Sequence, residues 1–175
     1  MNNARWLDED EQRIWRSYLQ MQRQLAARLN RQLQADCGLS LADYEVLVQL
    51  TDTQDGRLRS FELARGLLWE QSRLSHHLNR MHNRGLVVRQ ECCEDGRGTF
   101  VVLTTAGRRA IEAAAPGHVA MVRRLFFDGL TRDQILMLEQ LSTQVLARLD
   151  TDHGRAVRAS VSSRGSPLSY HRSAL

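Results

Sequence analysis

The chain has no lysine, so all 24 of its basic side chains are arginine. Guanidinium binds phosphate through two parallel hydrogen bonds where an ammonium cannot, which suits a polyanionic partner. The net charge of +4 is too small to demand one, so where the arginines sit matters more than their number. No apolar run approaches the roughly 20 residues that span a bilayer, which argues against a membrane-crossing helix. The opening residues, MNNARWLDEDEQR, lack the apolar stretch of a secretory signal and carry four acids in a row from Asp8 to Glu11, so a cytoplasmic address is expected. Cysteine is scarce and odd in number: Cys37 stands alone, and Cys92 and Cys93 are adjacent, where bridge geometry disfavours pairing. Reduced thiols are expected. Also missing are a G-x-S-x-G or H-E-x-x-H motif, a P-loop and paired carboxylates, while GRG is too short for a dinucleotide fingerprint. Neither enzymatic activity nor a cofactor is expected.

What remains, over a length of 175 residues that fits about one domain, is helical patterning. Ile14, Tyr18, Met21, Leu25, Leu29 and Leu33 recur at three- and four-residue steps and predict a long amphipathic helix from about Asp8, stopped at Gly38. Ser40 with Asp43 reads as a capping box for a second helix, LADYEVLVQL. SFELARGLL, with Ser60 as its cap, and EQSRLSHHLNRMHNRG, stopped by Gly85, predict two short helices in a helix-turn-helix arrangement. Leu74, Leu78 and Met81 form the buried side of the second. LVVRQ and TFVVL then flank ECCEDGRG as a β-hairpin, a wing behind the helix pair. A helix from Thr104 is expected to kink or break at Pro116, and a last one opens on Thr131 with Gln134, carrying Ile135, Leu138, Leu141, Val145 and Leu149 on one face. From residue 151 a Ser- and Arg-rich stretch without periodicity reads as a disordered tail. The long terminal helices carry more apolar face than the small central lobe can cover, so a homodimer is the economical solution. The fold class is mostly α with a small β-wing: a winged helix-turn-helix lobe, 40–104, flanked by dimerisation helices 8–36 and 105–150, in one domain of 1–150.

This order of elements resembles the MarR family of bacterial transcriptional regulators over roughly residues 10 to 150. The motifs that carry the resemblance are LSLADYEVL, ELA, LSHHLNRMHNRGLVVR and, most diagnostic, EDGRG followed by VVLTTAG. Asp95, Arg97 and Gly98 fill the family's wing-tip positions, and Leu103, Thr104 and Gly107 fill its following helix start. The resemblance implies a homodimer that binds palindromic operators in double-stranded DNA, usually as a repressor of its own or neighbouring genes. It also implies release by a small aromatic or anionic effector, held in a cleft between the dimer helices and the DNA-binding lobe. Trp15, Tyr18, Tyr44 and Trp69 are the aromatic residues available to such a cleft, and none is assigned as a contact.

On a recognition helix the residues opposite Leu74, Leu78 and Met81 meet the major groove: Ser72, Arg73, Ser75, His76 and Asn79. Arg73 suits a guanine edge, and Ser72 and His76 can donate to bases or phosphates. Arg97 suits a narrow A·T-rich minor groove, with Asp95 holding it in place. Arg80, Arg84 and Arg89 are weaker candidates for phosphate contacts. A metal site is not expected, because His76, His77 and His82 are spaced so that no pair shares a helix face, and Cys92 and Cys93 lack C-x2-C spacing. Two alternatives stay open: a redox-sensing regulator of the same fold acting through Cys92, Cys93 or Cys37, and a protein-interaction scaffold that does not bind DNA.

Overall fold

The computed structural model describes residues 5–91 and 99–160, from 152 onward as backbone only. Cys92, Cys93, Asp95, Arg97 and the segment 161–175 lie outside the described residues. The chain divides into two compact units, 1–122 and 123–175.

The first unit begins with α1, Glu9–Cys37. Asp8 caps it: its carboxylate accepts from the Glu11 amide at 2.8 Å while the Glu11 carboxylate accepts from the Asp8 amide at 2.9 Å. At the other end Gly38, at φ 67°, returns its amide to the last turn, as the left-handed cap requires. The second helix, α2, Leu41–Thr51, opens on the same reciprocal box between Ser40 and Asp43. Its Leu41 amide, free at a helix start, is satisfied from α1 by Asn30 Oδ1 at 2.9 Å.

A short strand absent from the sequence reading follows: β1, Arg57–Arg59, pairs antiparallel with β3 and extends the wing to a three-stranded sheet ordered β1-β3-β2. Next come α3, Ser60–Gly66, and α4, Gln71–Asn83. The N-cap of α3 is Arg59 rather than Ser60, because pairing in β1 extends the backbone up to Arg59 and Ser60 becomes the first helical residue. Strands β2, Val87–Glu91, and β3, Thr99–Leu103, complete the hairpin in the register Val87↔Leu103 through Glu91↔Thr99.

The fifth helix, α5, Thr105–Val122, runs through Pro116 without a break. Proline removes one amide donor, but α5 packs along α1 and α2, and that packing outweighs the local loss. Gly117 lies close to Gln32 Nε2 and Asp36 of α1, Ala114 is buried, and the His118 ring rests 4.2 Å from that of Tyr44 on α2. The core of this unit gathers Leu33, Leu47, Leu50, Leu63, Leu74 and Met81 from four helices, with Val87 and Val101 from the sheet.

The second unit opens with a π-helical turn, Arg123–Phe127, whose wide ladder is seen in the Asp128 amide reaching the Arg123 carbonyl at 2.8 Å. Thr131 and Gln134 then form the reciprocal cap of α6, which runs from Arg132 to Ser160. The helix therefore continues beyond Asp150, and Thr151 fits it by donating its hydroxyl to the Ala147 and Arg148 carbonyls. Leu141, Val145 and Leu149 lie exposed along its surface.

Candidate nucleic-acid interface

In α4 the residues Leu74, His77, Leu78 and Met81 are buried, at the spacing of one helical face. The opposite side carries Ser72, Arg73, His76 and Asn79, all exposed. Four of the five recognition-helix residues inferred from sequence thus share one open surface. Ser75, the fifth, is half-buried, and Arg89 from β2 donates to its carbonyl at 2.9 Å and its hydroxyl at 3.2 Å. It ties the wing strand to the helix, and Arg89 is engaged in the same tie.

Arg73 is held rather than loose. Its guanidinium lies over the Trp69 ring, 4.2 Å from the centroid, and Trp69 meets the His77 ring edge-on at 5.3 Å. Stacking of this kind is worth about 0.5–1 kcal/mol on an exposed surface, enough to favour one rotamer while leaving the five donors free to turn outward.

Beneath that surface lies a polar cluster. His77 Nε2 stands 2.9 Å from Asp43 Oδ1, and Arg84 Nη1 reaches Asp43 Oδ2 at 2.7 Å. Asp43 Oδ2 also accepts from the Ser40 amide at 2.9 Å. On the far side of the imidazole, Arg80 Nη2 is 2.8 Å from His77 Nδ1. A guanidinium has only hydrogens to offer, so Nδ1 accepts and the ring proton resides on Nε2, facing the carboxylate. Burial alone would push the Asp43 carboxyl up, but hydrogen bonds from His77, Ser40 and Arg84 outweigh it and hold the group well below the usual carboxylate range. The cluster joins the start of α2 to the middle and end of α4 and so sets the rotation of the exposed face.

This accounts for two of the three histidines differently. His77 is a buried partner of Asp43, and His82, though exposed, donates from Nδ1 to the Val87 carbonyl at 3.1 Å, while His76 lies exposed on the same face as Arg73. Arg80 and Arg84, the other arginines considered for phosphate contacts, are occupied at His77 and at Asp43, where Arg84 also donates to the Gly38 carbonyl at 2.8 Å. Among the described residues no group of three potential ligands gathers as a metal site would need. Sequence patterning missed the cluster because its members are up to 41 residues apart. The one available signal was a histidine in phase with the apolar stripe Leu74, Leu78, Met81.

The helix start after the wing is pinned in a comparable way. The Thr104 hydroxyl lies 2.6 Å from the Gly85 carbonyl and 3.0 Å from that of Leu86, and it accepts from the Gly107 amide at 2.9 Å. Gly107 packs so close to Leu86 that a Cβ there would collide with its carbonyl oxygen. Thr104 and Gly107 are thus the residues that weld α5 to the end of α4. Cys37, the one cysteine among the described residues, is half-buried and donates its thiol to the Leu33 carbonyl at 3.1 Å.

Of the aromatic residues considered for an effector cleft, Tyr44 lines a cavity in the first unit, together with residues of α1, α2 and α5. Trp15 and Tyr18 instead stack on each other, 5.7 Å apart, on the exposed part of α1, and Trp69 serves Arg73 and His77.

No family model matches the chain. It is 39% identical to AbsC, a MarR family transcriptional regulator from Streptomyces coelicolor, over 85% of this chain and 99% of that one, with a TM-score of 0.79. It is 40% identical to a second MarR family regulator from Streptomyces coelicolor, solved in complex with DNA, over 82% of this chain and 90% of that one, with a TM-score of 0.78. A curated relative, the HTH-type transcriptional repressor YetL of Bacillus subtilis, is 32% identical over 85 residues, 49% of this chain and 51% of that repressor, so the match spans about half of its length.

Proposed function

Because the chain belongs to the MarR family of transcriptional regulators, we propose that it is a homodimeric DNA-binding repressor that reads a palindromic operator through α4. The observation that carries this reading is the single exposed face of Ser72, Arg73, His76 and Asn79, braced from below by the Asp43–His77–Arg84 cluster. A helix that enters a groove has to present its side chains at a fixed rotation, and the cluster supplies that rigidity. Arg73 takes a guanine edge, with Trp69 as its resting platform. Arg97, outside the described residues, is assigned to the adjacent minor groove with Asp95, on their place in the EDGRG motif alone.

The second copy meets exposed apolar surface. On α1 the stripe that buries Leu29 and Leu33 emerges at Ile14, Tyr18 and Met21, which are 64%, 44% and 43% exposed. On α6 Leu141, Val145 and Leu149 are all more than half exposed. Surface of this kind along two helices is what an isologous dimer covers. Release from DNA by a small ligand, and with it control of the chain's own or neighbouring genes, belongs to the same proposal. Among the described residues no helix is long and apolar enough to cross a membrane.

The test is fluorescence anisotropy of the full chain on duplexes tiled across the DNA upstream of its gene. One duplex should bind with an affinity that falls steeply with salt, and Arg73→Ala should weaken it by about 1–3 kcal/mol and blur its preference among base changes. Equal binding to every duplex, or an unchanged isotherm for Arg73→Ala, would remove α4 from the role.

A further inference from the structure

Trp69 stands just ahead of α4, four residues before Arg73, and because side chains on a helix lean toward its N-terminus the Arg73 guanidinium falls back over the indole ring. The ring is a fixed object. The Trp69 amide donates to the Ala64 carbonyl at 2.9 Å, the side chain is half-buried against the core, and the His77 ring meets it edge-on. His77 is itself held between Asp43 and Arg80. Leu68, immediately before Trp69, takes a left-handed φ of 54° with its side chain exposed, so the turn accepts strain at the position that delivers the indole to this place. On α2, Glu45 lies within electrostatic reach of Arg73, whose charge draws the Glu45 carboxyl down against the rise that burial imposes. The arginine of the exposed α4 face is thus oriented by groups outside α4 before any partner arrives.

A stacked guanidinium keeps its face on the ring and its N–H donors in its own plane. That plane is what separates a guanine from a phosphate. The O6 and N7 acceptors of a guanine edge lie in the plane of the base and take two parallel N–H bonds from a coplanar guanidinium, whereas a phosphate accepts from many directions. An arginine free to rotate is satisfied by the DNA backbone, which carries no sequence information. We propose that Trp69 sets the base preference of α4 as a positioning residue, touching no DNA itself and holding the Arg73 guanidinium in the plane of a guanine edge. The proposal rests on the reading of α4 as the recognition helix, and it goes beyond that reading by placing part of the specificity in a half-buried ring outside the groove. Desolvation strengthens a cation–π contact, so the platform gains weight as the groove closes over it.

The experiment selects bound duplexes from a random-sequence library with the full chain and its variants, and reads the base preference at each position of the enriched site together with the affinity for unselected DNA. The wild type should prefer guanine at one position of the site by at least about fivefold. Arg73→Ala should abolish that preference, which tests the recognition reading on its own. Trp69→Leu, which keeps apolar bulk against the core, should cut the same preference by at least about fivefold while the affinity for unselected DNA changes by less than about twofold. Trp69→Phe, which restores a ring face, should recover most of the preference, and Trp69→Leu should add nothing in an Arg73→Ala background. A guanine preference that Arg73→Ala removes and Trp69→Leu leaves in place would overturn this proposal alone; one that survives Arg73→Ala would overturn the recognition reading with it. Equal losses at every position, no recovery with Trp69→Phe, or a further loss in the Arg73→Ala background would give Trp69 a merely structural part and overturn the proposal.

Discussion

Two single residues show how far local chemistry governs this fold. Gly107 sits against the Leu86 carbonyl with no space for a methyl group, so Gly107→Ala should cost about 1–3 kcal/mol in a urea titration, with little change in slope. Leu68, in the turn between α3 and α4, has a φ of 54° and is 88% exposed. A leucine in the left-handed region carries a penalty of about 1 kcal/mol that glycine avoids, and its side chain is repaid by no burial. Leu68→Gly should therefore stabilise the protein by up to about 1 kcal/mol, visible as a raised midpoint in the same titration; a lowered midpoint would show that the leucine earns its place through contacts. The motif residues Leu103, Thr104 and Gly107 were legible in the sequence as a signature, but their reason was not. The reason is a backbone approach between segments some 20 residues apart, which no local pattern encodes.

Among elements, two helix starts set by capping boxes were readable, since Ser40 with Asp43 and Thr131 with Gln134 each act within one turn, whereas the box of Asp8 with Glu11 showed in the sequence only as a run of acids. Three elements escaped for physical reasons. Strand β1 is three residues long, too short for an alternating pattern, and exists because β3 offers it an edge. The passage of α5 through Pro116 depends on α1 and α2 beside it. The coupling of α2 to α4 depends on Asp43, which sequence shows as a cap and structure shows also to serve His77 and Arg84. That coupling makes a pH prediction. The Asp43 carboxyl is lowered on folding, so its stabilisation is present above the ordinary carboxylate range, near pH 4, and is lost as pH falls through the depressed value of the folded state. Asp43→Asn should destabilise by on the order of 2–3 kcal/mol at neutral pH. The gap to wild type should narrow as denaturation is repeated below about pH 4, and a gap independent of pH would contradict the ionised cluster.

For the whole molecule, operator reading by two α4 helices requires a second copy that covers the exposed stripes of α1 and α6. Leu141→Glu places a charge in the centre of the α6 stripe, where a monomer would tolerate it, since Leu141 is already 53% exposed. Light scattering should then report a shift from dimer towards monomer without loss of helicity. That two copies set α4 into successive major grooves is tested by a dimethyl sulfate protection footprint, which reads guanine N7 in the major groove, of the bound upstream duplex together with its protein stoichiometry. Two chains per duplex are expected, with two protected major-groove windows centred about one helical turn, roughly 10 base pairs, apart. A single protected window, or one chain per duplex, would contradict that arrangement.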